Sequence, residues 1–276
     1  MNLLYKLPYI LDKLEVFHYL HPMQNDLSYI SVQNQRQGFP KHFHETFCIS
    51  LIRKGVENIE LEDRSVYTEA GSISITNPCE LHANPMVDKD AVVNFDTIYI
   101  SNDLVKYLLK GEAGLFDNRQ VRDMQLNNLF AALIRQLRSE TLTNDDAILR
   151  SFLQQLYHHS RKADTLQYAA FREGQFSEII GYIEQHLDDK IELEALAKIA
   201  MLNKYGFVKK FKAVTGLTPM NYVLMRKVFA AKEQITRTTD LTGLAYNYQF
   251  ADLPHFSHTF KKYVGVSPND FKKQQR

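Results

Sequence analysis

Two stretches of this chain follow one pattern, and that repetition constrains the fold more than any other feature. FKAVTGLTPMNY begins at Phe211, and FKKYVGVSPNDF begins 49 residues later at Phe260. Both read Phe-Lys, three variable residues, Gly, an aliphatic residue, Thr or Ser, Pro, two variable residues and an aromatic residue. The alignment continues upstream, where NKYGFVKKFK matches DLPHFSHTFK. A repeat of this kind indicates that one supersecondary unit occurs twice.

Each copy contains the residues that end one helix and begin another. A glycine supplies a left-handed residue after the first helix, a hydroxyl side chain caps the next, and a proline occupies its first position. These residues are Gly216, Thr218 and Pro219 in the first copy and Gly265, Ser267 and Pro268 in the second. Upstream, Asn203 and Asp252 are placed to cap the helix that ends at each glycine.

Each copy therefore predicts a short helix, a turn, and a second helix with one apolar and one polar face, as in a helix-turn-helix unit. We call the second helix of each unit its recognition helix. Their predicted apolar faces carry Phe207, Phe211 and Val214 in the first unit and Leu253, Phe256 and Phe260 in the second.

The segment between the two units predicts a single connecting helix. Residues 219–236 contain no internal Gly or Pro, and at 1.5 Å per residue they form a helix about 27 Å long. Successive turns of one DNA groove face lie about 34 Å apart, so two units joined in this way reach adjacent major-groove segments.

The charge distribution agrees with a polyanionic partner for this part of the chain. The net charge is only +1, but residues 176–276 contain 15 Lys+Arg against 10 Asp+Glu, while the remainder contains 18 against 22. The last third is therefore the basic part, which favours nucleic acid where the positive residues share a face.

Composition also indicates the compartment. No apolar run reaches the about 18 residues that span a bilayer. Asp12, Lys13 and Glu15 interrupt the segment where a signal peptide needs an apolar core, so we expect a cytoplasmic protein. Cys48 and Cys79 lack metal-type spacing and lie in apolar surroundings, which predicts free thiols in a reducing compartment.

The amino-terminal region predicts β-structure. FCISLIRKG, ENIEL, GSISITNP and VVNFDTIYIS show apolar side chains at alternate positions, and turn residues separate these runs. The pattern predicts an antiparallel sandwich or barrel over about residues 28–101.

Two helices are predicted after the strands, over residues 119–139 and 144–162. Their apolar residues recur at helical spacing, and these are Val121, Met124, Leu129, Leu133, Leu137, Ile148, Phe152 and Leu156. The two helices are suited to cover the β-structure or to pair with a second subunit. Periodicity is then lost, so we predict an amino-terminal domain at residues 1–165, a linker at 166–175 and a helical domain at 176–276.

The last hundred residues resemble the DNA-binding domain of the AraC/XylS family of bacterial transcription regulators. The resemblance is carried by the Leu-Ala pair before the first recognition helix, the Phe-Lys of both copies, Tyr222 and the pair Arg226-Lys227 in the connecting helix. FADLPHFSHTFKKYVGVSPNDF resembles the family signature along its whole length.

Four positions depart from the family pattern. Gln249 stands where the family commonly has Gly, and Asn203 replaces a frequent Ser cap. Val208 and Pro254 occupy positions where polar, base-contacting side chains are common. The cap exchange is chemically neutral, whereas a left-handed Gln249 costs about 1 kcal/mol.

The resemblance implies a sequence-specific regulator that contacts DNA through the polar faces of its two recognition helices. We predict contacts from Lys204, Tyr205, Val208, Lys209, Lys212, Pro254, His255, His258, Lys261 and Lys262. The expected partners are double-stranded promoter DNA and RNA polymerase, and a homodimer with no membrane association is expected.

The amino-terminal half resembles the cupin-type regulatory domain of many such proteins, through FPKHFHETF, Gly55, Gly71 and NPCELHAN. The expected fold is therefore α+β with two domains: a cupin-like β-barrel with flanking helices, and an all-α domain with two helix-turn-helix units joined by a long helix.

Three histidines are candidates for the interior of this barrel. His42 and His44 share one face of a strand, and His82 follows in a later strand. Metal ligation, polar contacts to a ligand and buried structural histidines all fit this triad. Catalytic cupins add a Glu, but Glu45 points to the other face and the position four beyond His44 is Cys48. We therefore predict effector contacts from the triad, with no metal, cofactor or catalytic residue.

Three functions remain compatible with these residues. The first is a transcription activator controlled by a small molecule in the amino-terminal domain. The second is a regulator without a small ligand, whose β domain serves assembly or a protein partner. The third, a metal-dependent cupin enzyme, is disfavoured by the missing Glu.

Overall fold

A computed structural model describes residues 26–110, 114–138, 147–159, 162–163 and 176–275. The amino-terminal segment that we expect not to act as a signal peptide lies outside these residues, as does the linker predicted at 166–175. None of the helices in the described ranges is long and apolar enough to cross a membrane.

The first half of the described chain forms antiparallel sheets, as predicted. The strands are β1 (Leu27–Gln35), β2 (Phe39–His42), β3 (Phe47–Lys54), β4 (Val56–Glu60), β5 (Ser65–Glu69), β6 (Ile73–Thr76), β7 (His82–Asn84), β8 (Val93–Ile100), β9 (Leu115–Phe116), β10 (Gln120–Val121) and β11 (Lys162–Ala163). Their order is β1-β8-β3-β6-β10 in a five-stranded sheet and β2-β7-β4-β5 in a four-stranded sheet, and β11 pairs with β9.

The five-stranded sheet separates an apolar layer from a more polar one. Ile49 pairs with Ile98 and Ile75 across β3, β8 and β6, so these side chains share one face. That face packs against three helices, α1 (Asn102–Leu108), α2 (Met124–Arg138) and α3 (Ala147–His158). The predicted helical cover of the β domain is therefore present.

The opposite face of this sheet looks toward the four-stranded sheet. Glu57 of β4 accepts a short hydrogen bond from Ser74 of β6, which joins the two sheets across the space between them. Because pairing partners share a face, the same space receives Cys48, Ser50 and Thr97. The interior between the sheets is thus markedly polar at this end.

The second half of the described chain is entirely helical. Its helices are α4 (Ser177–Gln185), α5 (Leu193–Ile199), α6 (Lys204–Thr215), α7 (Pro219–Glu233), α8 (Leu241–Asn247), α9 (Leu253–Val264) and α10 (Pro268–Gln274). Helices α5 and α6 form the first helix-turn-helix unit, α8 and α9 form the second, and α7 connects them, as the repeat predicts.

The helix ends confirm the predicted signals. Asn203 and Asp252 accept hydrogen bonds from the backbone N–H groups of Gly206 and His255, at 2.8 and 2.6 Å. Gly216 and Gly265 both have positive φ, at 72° and 93°. Ser267 caps α10 through the N–H of Asp270, whereas Thr218 occupies the N-cap position of α7 without a side-chain hydrogen bond.

Three residues predicted on the apolar faces of helices lie elsewhere. Val214 is 51% exposed, and Thr215 is buried in its place, because its hydroxyl donates to the carbonyl oxygen of Phe211 at 2.8 Å. Met124 is 80% exposed at the start of α2, and Val121 belongs to β10, where it pairs with Ile73.

Two predicted helices begin or end at different residues. The helix predicted from residue 119 begins at Met124, since Asp123 accepts a hydrogen bond from the N–H of Leu126 at 2.9 Å and so caps it. The connecting helix predicted over 219–236 ends at Glu233. There the hydroxyl of Thr239 accepts from the N–H of Thr236 at 2.8 Å and closes a turn. The helix is therefore about 22 Å long.

The two domains pack against one another through a shared apolar core. Ile30, Val32 and Phe95 of the five-stranded sheet belong to the same buried cluster as Phe229 and Tyr263 of the helical domain. The β domain therefore packs against both the connecting helix and the second recognition helix.

Candidate DNA-contacting surface and effector site

The first recognition helix, α6, buries its aromatic residues and exposes its polar face. Phe207 and Phe211 are completely buried, with ring centroids 5.5 Å apart. The predicted contact residues on the opposite side are exposed, except for Val208, which is half-buried, and these are Lys204, Tyr205, Val208, Lys209 and Lys212. Tyr205 is 91% exposed, so nothing in the described chain covers this face.

One of these lysines is already paired within the chain. Lys204 forms an ion pair with Glu194 of α5, the helix that precedes the turn. An exposed ion pair of this kind is weak. Lys209 and Lys212 form no ion pair among the described residues and are the stronger candidates for phosphate or base contacts on α6.

The second recognition helix, α9, also buries its aromatic residues, but its predicted contact residues include histidines and a proline as well as lysines. Phe256 and Phe260 are completely buried, and Pro254 occupies the first turn, where its missing N–H is harmless. The five predicted contact residues are all exposed, and these are Pro254, His255, His258, Lys261 and Lys262.

In both helix-turn-helix units the first helix ends with a left-handed residue that is not glycine. Met201 and Gln249 have positive φ, at 52° and 58°. The next N–H groups, of Leu202 and Phe250, each donate to a carbonyl five residues earlier at 3.0 Å. This is the Schellman arrangement, which normally favours glycine. The predicted left-handed conformation of Gln249 is confirmed, and Met201 shares it.

The basic pair of the connecting helix is structural rather than exposed to DNA. The ammonium of Lys227 is buried and donates to the carbonyl oxygens of Asp189 at 2.7 Å and Tyr248 at 3.1 Å. Asp189 follows α4 and Tyr248 ends α8, so Lys227 ties the segment between α4 and α5 to the end of α8. Arg226 forms two hydrogen bonds with the Glu184 carboxylate, at 2.7 and 2.8 Å.

The three predicted histidines come together. One ring nitrogen of each of His42, His44 and His82 lies within 4.8 Å of the others, and all three residues are buried. His42 is the last residue of β2 and His82 the first of β7, where they pair across the sheet. His44 lies in the turn after β2 rather than in the strand that we predicted.

Burial keeps the triad neutral. It lowers the pKa of His42 and of His44 well below the ordinary value, and the neighbouring imidazoles lower both further. Burial likewise lowers the pKa of His82 to about 4. The rings contact the helical domain, because the His44 centroid lies 5.1 Å from that of Phe229 and the His42 centroid lies 6.5 Å from that of Tyr263.

A lysine from the connecting helix lies at the same end of the β domain. The ammonium of Lys232 sits 3.5 Å from the ring centroid of Tyr99, and the His44 ring packs against that tyrosine at 5.2 Å. Burial lowers the pKa of Lys232 to about 8. Among the described residues no carboxylate lies within ion-pairing distance of it.

The interior beside the triad is closely filled. A cavity of about 20 Å³ lies between Phe39, Glu57, Asn84 and Phe95, which is room for about one water molecule. Burial raises the pKa of the Glu57 carboxyl. Small-molecule sites usually occupy about 300–1,000 Å³, so the barrel interior in which we predicted effector contacts is closed here by side chains.

Comparison with known proteins decides the family. Residues 24–157 match the family model described as the AraC-like ligand binding domain, and residues 196–274 match a helix-turn-helix domain. The chain belongs to the AraC/XylS family of bacterial transcription regulators. It is thus a DNA-binding transcription regulator and not an enzyme.

Two relatives of this AraC-family chain align over most of its length. The uncharacterized HTH-type transcriptional regulator YbfI of Bacillus subtilis is 22% identical over 231 residues, which cover 79% of this chain and 82% of YbfI. The HTH-type transcriptional activator RhaS of Citrobacter koseri is 23% identical over 253 residues, covering 86% and 88% of the two chains.

A solved structure has the same two-domain fold. ToxT from Vibrio cholerae aligns with a TM-score of 0.55 and 13% identity, over 91% of this chain and 99% of that one.

The structure of this AraC-family member adds two residues that the sequence did not single out. Lys232 and Glu57 lie far apart in sequence, in unremarkable surroundings, and only the folded chain places them at one end of the polar interior. Glu57 could have been found from the sequence, because it is a polar residue at an inward-facing position of a strand.

Proposed function

We propose that this regulator binds specific promoter sites through both recognition helices and activates transcription by recruiting RNA polymerase in the cytoplasm. The observation that supports this proposal is the exposure of both polar helix faces while the domains are packed together. A relative over most of the chain, RhaS, is named a transcriptional activator.

The DNA-binding part of the proposal is tested with the full chain. Selection from a pool of random duplexes should enrich a motif with two parts separated by about one helical turn. Binding of the enriched duplex should exceed binding of a scrambled duplex by about 10³-fold or more at the same salt concentration. Equal binding of the two duplexes contradicts sequence-specific recognition.

We propose further that a small-molecule effector binds in the polar interior of the amino-terminal domain, with His42, His44 and His82 as polar contacts. The triad packs against Phe229 of the connecting helix, so a ligand at this place touches both domains. An effector acts only through its different affinity for two states of the protein, and typical coupling energies are about 1–3 kcal/mol.

Lys232 supports an anionic effector. Structures of ToxT are described with a bound unsaturated fatty acid and with a bound naphthalenyl-butenoic acid, and both of these ligands are carboxylic acids. In the present chain Lys232 offers a positive charge beside Tyr99, without a carboxylate partner among the described residues. An ammonium in this position suits a carboxylate better than a neutral sugar.

A thermal-shift screen of carboxylic acids on the full chain tests the effector proposal. A ligand at 100 times its Kd should stabilise the folded protein by about 2.7 kcal/mol, and Lys232→Met should remove most of that stabilisation. Exposed Lys198 provides the matched control, Lys198→Met. If no compound shifts the melting temperature of the native chain, the result favours the alternative, in which the β domain serves assembly or binds a protein partner.

We also propose a homodimer. One chain presents a single pair of recognition helices, and two chains on a repeated site gain affinity through effective concentration. The exposed parts of α2 and α3 are the proposed contact. Sedimentation of a monomer at high micromolar concentration, with and without DNA, contradicts it.

A further inference from the structure

The histidine triad has a chemistry that goes beyond contacts to an organic effector. Its rings lie close together, with centroid separations of 4.3 Å for His42 and His82, 4.8 Å for His42 and His44, and 5.5 Å for His44 and His82. One nitrogen of each is within 4.8 Å of the others. Three imidazoles in this arrangement are either ligands of one ion or a costly cluster of buried polar groups.

Backbone carbonyls orient two of the three rings. Nδ1 of His42 lies 2.7 Å from the carbonyl oxygen of Pro40, and Nδ1 of His82 lies 2.8 Å from that of Glu80. Since a carbonyl only accepts, Nδ1 carries the proton in both rings, and Nε2 retains a free lone pair. A histidine that binds metal through one nitrogen characteristically donates its other N–H in this way.

The repetition of this contact strengthens the argument. In both cases the acceptor is the carbonyl two residues before the histidine, and the two histidines pair across neighbouring strands. The same type of backbone hydrogen bond thus orients the Nε2 lone pairs of two histidines that come from separate parts of the chain.

The surroundings bury the triad and, among the residues that the structure describes, supply no acidic ligand. The triad is buried, and Phe229, Tyr263 and Tyr99 pack against it. Three neutral nitrogen ligands and no carboxylate suit zinc, copper or nickel rather than magnesium or calcium. Such a set leaves one coordination position open for water or an anion.

We propose that His42, His44 and His82 together bind one divalent transition-metal ion, with Zn²⁺ as the reference ion, at the boundary between the β domain and the connecting helix. The effector proposal needs only polar contacts from these rings, so either proposal can fail without the other. From the sequence alone we preferred ligand contacts or structural histidines, and the side-chain arrangement now favours metal ligation.

The ion requires a modest closure of the triad. With Zn–N distances of about 2.0–2.1 Å, tetrahedral ligands lie about 3.3 Å apart, compared with the present limit of 4.8 Å. Ring rotations that draw the nitrogens together from within 4.8 Å by up to about 1.5 Å also alter the surface that Phe229 and Tyr263 contact. Metal occupancy is therefore expected to change how the helical domain packs on the β domain.

The test is titration of the metal-free full chain with Zn²⁺ by calorimetry, and with Co²⁺ by visible absorption. We expect one ion per chain and the d–d bands of a four-coordinate cobalt site. His42→Gln, His44→Gln and His82→Gln should each weaken binding by at least about 10- to 100-fold, which is the loss caused by removing even an outer hydrogen-bond partner. His158→Gln, which replaces an exposed histidine at the end of α3, should bind as the native chain does.

Two measurements keep the test independent of folding defects. Circular dichroism checks each variant, and nitrogen NMR of the histidine side chains on the native chain should show shifts of three imidazoles when Zn²⁺ is added. The proposal is overturned if the native chain retains no ion, or if the triple glutamine variant folds and binds Zn²⁺ with unchanged affinity and stoichiometry. Either result leaves DNA binding and the organic-effector screen unaffected.

Discussion

The first recognition helix ends against Leu81 of the β domain, whereas the second recognition helix and the helix after it contact the β domain at several residues. A Cβ on Gly216 at the end of α6 would collide with Leu81. At the end of α9, a Cβ on Gly265 would lie 2.9 Å from the Phe39 ring.

The following helix extends this attachment of the second unit. In α10, the side-chain oxygen of Gln274 accepts a hydrogen bond from the N–H of Ser31 at 2.9 Å, and its backbone carbonyl accepts from the hydroxyl of Tyr29 at 3.1 Å. The duplicated units thus have equal internal design but unequal attachment. We therefore expect a change in the β domain to affect the second unit more strongly than the first.

The largest loss of stability should come from replacing the buried phenylalanines that occupy equivalent positions in the two units. Phe211→Ala and Phe260→Ala each remove a completely buried ring, and each should lower the free energy of unfolding by about 3–5 kcal/mol. Urea unfolding followed by circular dichroism measures this loss. Val214→Ala, in the same helix as Phe211 but half exposed, should stay within about 0.5 kcal/mol. A loss below 1 kcal/mol at either ring would show that the aromatic residues do not anchor the units.

Substitutions on the DNA-contacting faces of both units should have the next largest effect. Lys209→Ala and His258→Ala should each weaken binding to the selected duplex by about 1–3 kcal/mol if the side chain contacts a base edge. Fluorescence anisotropy at fixed salt measures the affinities, and Lys106→Ala, an exposed lysine of α1, is the control. Unchanged affinity and unchanged base preference in both variants would remove these residues from the contact surface.

Lys227 tests whether α7 is fixed between the segment that follows α4 and the end of α8. Lys227→Met leaves the carbonyls of Asp189 and Tyr248 without their shared donor, so stability should fall by about 1–3 kcal/mol. Lys198→Met, at an exposed position of α5, should have little effect. Equal melting of the two variants would mean that water replaces the ammonium and that Lys227 does not hold these segments together.

The smallest effect concerns the two turns. Met201→Gly and Gln249→Gly should each stabilise the fold by about 1 kcal/mol, because both residues have left-handed backbones that glycine adopts without strain. Differential scanning calorimetry should show a higher Tm for both. A gain for one and a loss for the other would reveal that the side chain of the losing residue makes a stabilising contact.

Local chemistry explains what the sequence could predict. The caps Asn203 and Asp252 and the glycines 216 and 265 act within a few residues of themselves, so their pattern predicts the helix ends. The prediction that Val214 is buried was wrong. Helical spacing alone cannot show that the Thr215 hydroxyl donates a hydrogen bond to the Phe211 carbonyl, which allows Thr215 to be buried instead. The buried roles of Lys227 and Lys232 depend on partners that are distant in sequence, which no local pattern contains.

The histidine triad falls between these cases. Alternation along the chain brought His42 and His44 to one face in the prediction, and the cupin-like spacing added His82. The tautomers of His42 and His82 depend on which carbonyl each Nδ1 meets, and only the folded backbone determines that.

The central claim is that two recognition helices, joined by α7, contact successive major-groove segments. Hydroxyl-radical footprinting of the full chain on its selected duplex tests it most directly. The account predicts two protected segments about 10 bp apart on one face of the duplex, with Lys209→Ala weakening one segment and His258→Ala the other. A single protected segment that only the α6 variant affects would contradict the claim.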